Sequence, residues 1–550
     1  MLNMKKASWQ LAHMALSAAM LTAAGEVYAV ALDTGNPDVR LRWDNTVRYN
    51  LGVRAESKER ALAESATQQI ADNKFDRGDV VTNRLDIISE LDLVYKRKYG
   101  ARISAAGWYD NAYTDTAKNL PQYESVGIGS AYPGEEYTDT VKRYYIGPSG
   151  EILDAFVFGG VNLFDTPVTM RLGQHNLYWG ESLFSFVHGV SYAQGPVDLR
   201  KATATPGIEA QELFLPLNQA SATAQITDSI SLAAYYQFEW EPSRLPEGGT
   251  YFGAPDFLFS GGTRLFLAPN FSIPVLGDRD TPDDGGAWGA SLRWRTSALG
   301  TLGFYYREFD DTLPNVVADY SGPVPTNVYN KYAEDVKLFG LSLARQVGDA
   351  SIGVEVVRRE DTALASVGLA PDFARGDTWH ALVNAIMLNG KNALWDSSTL
   401  QAELTYSYLD RVTENPQFYN KEGSPQCNAT VPGANEVEDG CSTRSSVAMT
   451  VSFEPVWYQA MNGVDLTLPL VLGVGVYGNS PVVNGGNEGA GNFSVGVGAD
   501  YLAKYKFNLA YNGFFGSISK DANGIQQTSN GGTPLLRDRG WLSFTAKATF

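Results

Sequence analysis

The sequence predicts an all-β protein, a transmembrane antiparallel up-and-down β-barrel of about 18 strands with long extracellular loops and short periplasmic turns. Three observations predict it. Apolar and polar residues alternate along a series of segments each about ten residues long. The connections between those segments are short and long in strict alternation. Beyond the N-terminal leader there is no unbroken apolar run of about 18 residues that could form a membrane helix.

The leader has the marks of an export signal. Lys5 and Lys6 precede the apolar stretch Leu11–Ala24, and Val27-Tyr28-Ala29 fits a small-residue cleavage site, with Ala29-Val30-Ala31 as a second. Residues 1–29 are therefore expected to be removed, leaving 30–550 as one barrel domain. Removing Lys5, Lys6 and Glu26 takes the formal net charge from −18 to −19, which excludes nucleic acid as a partner class. Fifty-five Gly, 29 Tyr, 25 Phe and 11 Trp beside two Cys and four His suit an exported barrel with large outer loops.

The first expected strand is 41–53, where Leu41, Trp43, Val47, Tyr49, Leu51 and Val53 alternate with Arg42, Asp44, Thr46, Arg48 and Asn50. Eight hairpins follow: 84–97/100–111, 152–160/166–174, 215–226/229–241, 286–296/300–309, 335–346/350–359, 376–388/397–410, 445–454/464–477 and 491–502/505–514. The alternation is clearest at Ile230–Trp240, Trp288–Arg295 and Thr399–Tyr408, and in the even-numbered apolar residues from Val464 to Val476. The last strand, 540–550, sets Leu542, Phe544, Ala546, Ala548 and Phe550 against Ser543, Thr545, Lys547 and Thr549. A terminal Phe in register with the alternation resembles the signal read by the outer-membrane barrel-assembly machinery. A charge at every second position would be ruinous in a sheet buried on both faces, but suits a face that borders water. A soluble propeller would need a shared repeat of about 40–50 residues, and none is visible.

Lumen-facing charges are expected at Arg42, Arg48, Asp86, Glu90, Asp92, Arg102, Arg171, Arg293, Arg295, Arg307, Lys337, Arg345, Glu355, Glu403 and Lys506. Segment 175–214 is an unusual outer loop. It carries Leu183, Phe184, Phe186, Val187 and Val190 beside His175, Trp179, Glu181, Arg200 and Lys201. So apolar a loop must pack somewhere, and folding into the lumen would narrow a passage that an 18-strand barrel otherwise leaves open. The alternative is a cap on neighbouring loops. His380 shares the lumen parity of its strand with Thr378 and Asn384.

Cys427 and Cys441, in the loop 411–444, are expected to form a disulfide in the oxidising exported compartment. No cofactor, metal or catalytic site is expected. Gly473–Gly478 spells G-x-G-x-x-G but lies within a strand and opens no helix. Asp278–Gly285 is calcium-like, but Pro282 breaks the EF-hand spacing. The remaining His residues lack a zinc-site spacing, and no nucleophile elbow surrounds a serine.

Five segments carry a family resemblance: RWDNTVRYNLGVR (42–54), RLDIISELDLVYKRKYGARISAAGWYDNAY (84–113), RLGQHNLYWGES (171–182), GPVDLRKATATPGIEAQELFLPL (195–217) and YYQFEWEPSRLPEGGTYF (235–252). They resemble large proteobacterial outer-membrane proteins classified as a domain of unknown function. The resemblance implies an outer-membrane location and, for some members, handling of hydrophobic compounds such as lipids, sterols or aromatics. It supplies no catalytic or substrate residues. The expected function is passive passage of small molecules, with hydrophobic or aromatic cargo ahead of polar solutes. A hydrophilic porin, a surface-interaction barrel and a barrel hydrolase are the rival readings. Outer-membrane lipid and lipopolysaccharide are the expected surroundings.

Overall fold

The computed structural model describes residues 30–550 apart from 118, 209, 426, 429, 430 and 432, so the expected leader 1–29 lies outside the described residues. The barrel strands are β1 Val39–Arg54, β2 Val80–Tyr95, β3 Tyr99–Asp110, β4 Ser149–Leu163, β5 Thr166–His175 and β6 Leu217–Gln225. Next come β7 Ile230–Gln237, β8 Trp288–Thr296, β9 Gly300–Phe309, β10 Val336–Val347, β11 Ala350–Ala363 and β12 Arg375–Asn389. The rest are β13 Ser397–Glu414, β14 Ser445–Met461, β15 Val464–Thr467 continued by Leu470–Tyr477, β16 Gly491–Tyr501, β17 Tyr505–Phe515 and β18 Trp541–Thr549. Each pairs antiparallel with its neighbours, and β18 pairs with β1 from Arg54↔Trp541 to Thr46↔Thr549, which closes an 18-strand ring.

Closure extends past the last strand. Asn45 and Phe550 exchange backbone hydrogen bonds of 2.7 and 2.9 Å. Val30–Leu32 then pairs with Leu41–Trp43, covering the part of β1 that β18 does not reach.

The period-two pattern places the charges. Trp43, Ile87, Ile103, Val157, Leu172, Leu341, Leu404 and Leu509 are exposed on the outer surface, while Arg48, Asp86, Arg307, Glu355 and Glu403 are buried inside. A closed ring leaves no unpaired strand edge, so an apolar exterior can face hydrocarbon; the protein is an integral barrel of the bacterial outer membrane. No helix among the described residues is long and apolar enough to cross a membrane. At the periplasmic end, Phe164-Asp165 forms a two-residue hairpin and Leu502-Ala503 begins a three-residue one, each pair at positive φ, the backbone sense that matches a tight turn to strand twist.

Two differences from the expected pattern have physical causes. The strand expected at 464–477 is interrupted after Thr467 because Pro469 has no N–H for the ladder, and Pro455, one pair along and facing Leu468, has none either. Leu468 N still donates to Pro455 O (3.1 Å) and Gly496 N to Pro469 O (2.9 Å). On β10, Lys337 and Arg345 take the outward parity of Phe339 and Leu341, not the lumen position expected for them. There the inward residues Val336 and Leu338 are apolar and fully buried. They pack in a cluster with Val187, Val190 and Tyr192, so polarity alone inverts the assignment.

The outer loops build structure of their own. Arg264–Ala268, Phe271–Asp280, Asn315–Ser321 and Val324–Lys331 form a four-stranded sheet that joins two loops through a parallel pairing. Phe75, Tyr113, Tyr132, Tyr137, Tyr251 and Phe252 pack into an aromatic cluster over one side of the mouth. Cys427 and Cys441 are joined by a disulfide.

Candidate functional site

The segment 176–216 leaves β5, crosses the lumen and returns to β6. Its backbone fixes the path. Glu355 on β11 accepts hydrogen bonds from Glu181 N, Ser182 N (3.1 Å) and Val190 N (2.6 Å). Glu403 on β13 accepts from Leu183 N (2.6 Å), Phe184 N (3.2 Å) and Ser185 N (2.7 Å). Successive N–H groups wrapped around a carboxylate form an anion-binding concavity, and here the wall supplies the anion. β5 and β13 are eight strands apart in a ring of eighteen, so these contacts lie nearly across the lumen. Close approach is possible because the wall is thinned there. A Cβ on Gly340 would stand 2.7 Å from a Val190 methyl, and one on Gly353 would stand 2.9 Å from Glu181 Cβ.

The tip, Phe186–His188, is tied to the wall by a relay with a defined direction. Arg359 Nε (3.1 Å) and the Thr378 hydroxyl (2.9 Å) both donate to His380 Nε2. His380 Nδ1 must then carry its proton and donate to His188 Nδ1 (3.0 Å), while His188 Nε2 donates to Gly485 O (2.9 Å). Only two neutral imidazoles satisfy all four contacts. Arg307 completes the anchorage, donating to Val190 O (2.8 Å) and Tyr192 O (2.6 Å), and the Tyr192 hydroxyl donates to Asp311 (2.6 Å).

The returning half is held by ion pairs. Arg200 bridges Asp198 (3.2 Å) and Glu247 (2.7 Å) and lies 3.3 Å above the Tyr144 ring. Lys201 meets Glu151 at 2.5 Å. Arg48 on β1 binds Glu212 through two hydrogen bonds of 2.6 and 2.9 Å.

The residues singled out in the sequence divide among these environments. Phe184 and Phe186 line a cavity of about 530 Å³ with Val187, Glu403, Gly473 and Val482. Arg171 and His175 line another of about 560 Å³ with Phe156, Tyr178 and Phe214. Trp179 packs edge-on against Tyr235 at 5.1 Å, and with Arg171, Leu177 and Ser221 lines a third cavity of about 270 Å³. Glu181 faces Arg293 at 3.7 Å. Arg295 is exposed on the same inward face of β8, nearer the periplasm. His380 joins the relay, and Arg200 belongs to the mouth. Arg359 escaped the sequence reading although it shares the inward parity of Glu355; Glu212 gave no signal beyond its charge.

His175 brings a base to a serine hydroxyl on these strands, with Nε2 2.8 Å from the Ser221 hydroxyl. Its Nδ1 faces the Gly173 carbonyl (2.9 Å) and not a carboxylate, and Ser221 lies within a regular strand. The pair fits a structural bridge between β5 and β6 better than a hydrolytic dyad.

A family model described as "Protein of unknown function (DUF1302)" matches residues 10–550. Among solved structures, the chain is similar to Acinetobacter baumannii OccAB3 at 9% identity and a TM-score of 0.42, covering 93% of this chain and 99% of that one. The BenF-like porin from Pseudomonas fluorescens Pf-5 matches at 10% identity and a TM-score of 0.40, covering 95% and 99%. Pseudomonas aeruginosa OpdK, solved with vanillate, matches at 10% and 0.37, covering 93% and 98%. No curated protein matches the sequence.

Proposed function

This chain belongs to the DUF1302 family, and from that premise we propose that it is a passive outer-membrane channel for small molecules whose bore is set by segment 176–216. The observation that carries the reading is the pair of wall carboxylates, Glu355 and Glu403, that hold six backbone N–H groups of the segment. Such anchorage keeps a fixed barrier in a lumen otherwise wide enough for free diffusion. Aromatic side chains edge the spaces beside it: Phe184 and Phe186 on one side, Phe156, Tyr178 and Phe214 on the other. These walls suit cargo with an apolar or aromatic body over purely polar solutes. The protein acts without catalysis or cofactor. It contacts outer-membrane lipid and lipopolysaccharide, and reaches the membrane through the barrel-assembly machinery.

Deleting 183–193 and recording single channels in planar bilayers tests the reading. The deletion is expected to raise unit conductance and to erase any preference between aromatic and sugar-sized solutes. A correctly folded deletion variant with wild-type conductance would refute the constriction.

A further inference from the structure

The inner wall is divided by charge. On β2–β4, Arg102 is enclosed by Glu90, Asp92 (3.7 Å) and Asp154 (3.2 Å). Two strands on, the pattern reverses. Arg171 on β5 and Arg293 and Arg295 on β8 face the lumen, and the inward positions between them on β6 and β7 include only neutral residues such as Ser221, Thr223 and Ala233. Among the described residues Arg171 and Arg295 make no salt bridge, and Arg293, with 53% of its side chain exposed, reaches only Glu181 at 3.7 Å. In a chain of net charge −18 this arc is the opposite of the average composition. Among the described residues Asp154, already paired with Arg102, is the one carboxylate lining the larger space beside Arg171, and Glu181 the one facing Arg293, so cations remain in excess along the arc and focus a positive potential in a low-dielectric tube.

Arg171 stands where two spaces meet, lining both the cavity of about 560 Å³ and that of about 270 Å³. Its guanidinium is 5.5 Å from the centroid of Phe156, and Tyr178, Leu183 and Phe214 line the larger space. A planar fork of donors beside aromatic and aliphatic surface suits a molecule with a carboxylate at one end and an apolar body at the other. We propose that the passage on the β5–β8 side of the inward segment selects small organic carboxylates with an apolar body, Arg171 receiving the anionic group and Arg293 and Arg295 continuing its path toward the periplasmic turn. The inference rests on the channel reading and names the class of cargo for it.

Planar-bilayer reversal potentials in gradients of sodium benzoate and of benzylammonium chloride test it on the full chain. The two organic ions share a ring and differ in the sign of charge. Wild type is expected to favour benzoate. Arg171→Glu should lower the benzoate-to-benzylammonium permeability ratio by about tenfold, the factor that 1.4 kcal/mol corresponds to. Arg171→Lys, which keeps the charge and loses the fork, should give a ratio between those of wild type and Arg171→Glu, and the double variant R293E/R295E should lower the ratio independently. The gel-mobility shift between heated and unheated barrel confirms folding of each variant. A wild type that conducts but prefers benzylammonium, or a folded Arg171→Glu and R293E/R295E that both keep the wild-type ratio, overturns this inference and leaves the channel intact. A wild type that conducts in no salt overturns the channel reading and this inference with it.

Discussion

Acidification from pH 7.5 to 4.5 should release the tip of the inward segment. The latch is the relay Arg359–His380–His188–Gly485, which requires both imidazoles to be neutral. Burial, with the nearby Arg359 charge adding to it, pushes His188 down from its ordinary 6.5 to about 4. Once the tip swings into water, His188 regains its ordinary affinity for a proton. A base whose pKa is depressed in the latched state favours that state fully above about 6.5, and loses this contribution as pH falls to about 4. The lowering corresponds to about 3 kcal/mol, or roughly a hundredfold shift toward the released form. Protonation of His188 would also set two Nδ1–H groups against each other, and protonation of His380 would set a new Nε2–H against the Arg359 guanidinium. The neighbouring charges are accounted for: Arg359 lies 4.0 Å over the Tyr192 ring, Tyr192 donates to Asp311, and Glu355 and Glu403 hold the flanking backbone. The decisive comparison is His188→Gln, which can accept from His380 and donate to Gly485 but cannot gain a proton, so an acid response that does not pass through this ring is common to both proteins. Single-channel recording should show wild-type conductance rising between pH 6.5 and 4.5 and the variant responding much less. Identical acid responses in the two proteins, or none in wild type, would refute the latch.

The other contacts predict separable effects. Glu403→Ala leaves three backbone N–H groups without their acceptor, at about 1–3 kcal/mol each; channel recordings should then show larger current fluctuations, while the barrel's thermal unfolding barely moves. Arg48→Ala removes the guanidinium paired with the buried Glu212 and Asp86 and should cost about 3–5 kcal/mol. Calorimetry in detergent should detect that loss, and adding Glu212→Gln should restore much of it. Cys427→Ser opens a loop whose ends are 14 residues apart, removing about 3 kcal/mol of loop constraint. Limited proteolysis should then cleave within 415–444 while the barrel core survives.

Much of the barrel was legible because a strand between lipid and water has one admissible period. Trp43 and Leu41 stand on one parity and Arg42 and Asp44 on the other, and a slip of one residue would put Arg48 into hydrocarbon. Turn positions followed for the same reason, to within a few residues. The rule stops where a lumen face is covered by protein, as on β10, where Val336 and Leu338 point inward and Lys337 outward. Pro469 could be seen in the sequence, but Pro455 becomes significant only once the register places it opposite the neighbouring Leu468.

The site was legible as a segment and not as a set of contacts. The apolar content of 183–190 marks a stretch that cannot remain in water, a statement about one stretch of chain. Which wall receives it depends on residues more than 150 positions away, Glu355 and Glu403, whose only local signature is a charge at an inward position. The same holds for His188 and His380, 192 residues apart and joined by one hydrogen bond. The sequence by itself determined a closed, membrane-spanning barrel with a clipped outer loop, because alternation, turn length and compartment are local constraints. Tertiary structure alone decided that buried carboxylates, arginines and neutral histidines on distant strands hold the segment across the lumen. Hydrogen bonds and ion pairs of that kind are satisfied through space, and leave no period along the chain.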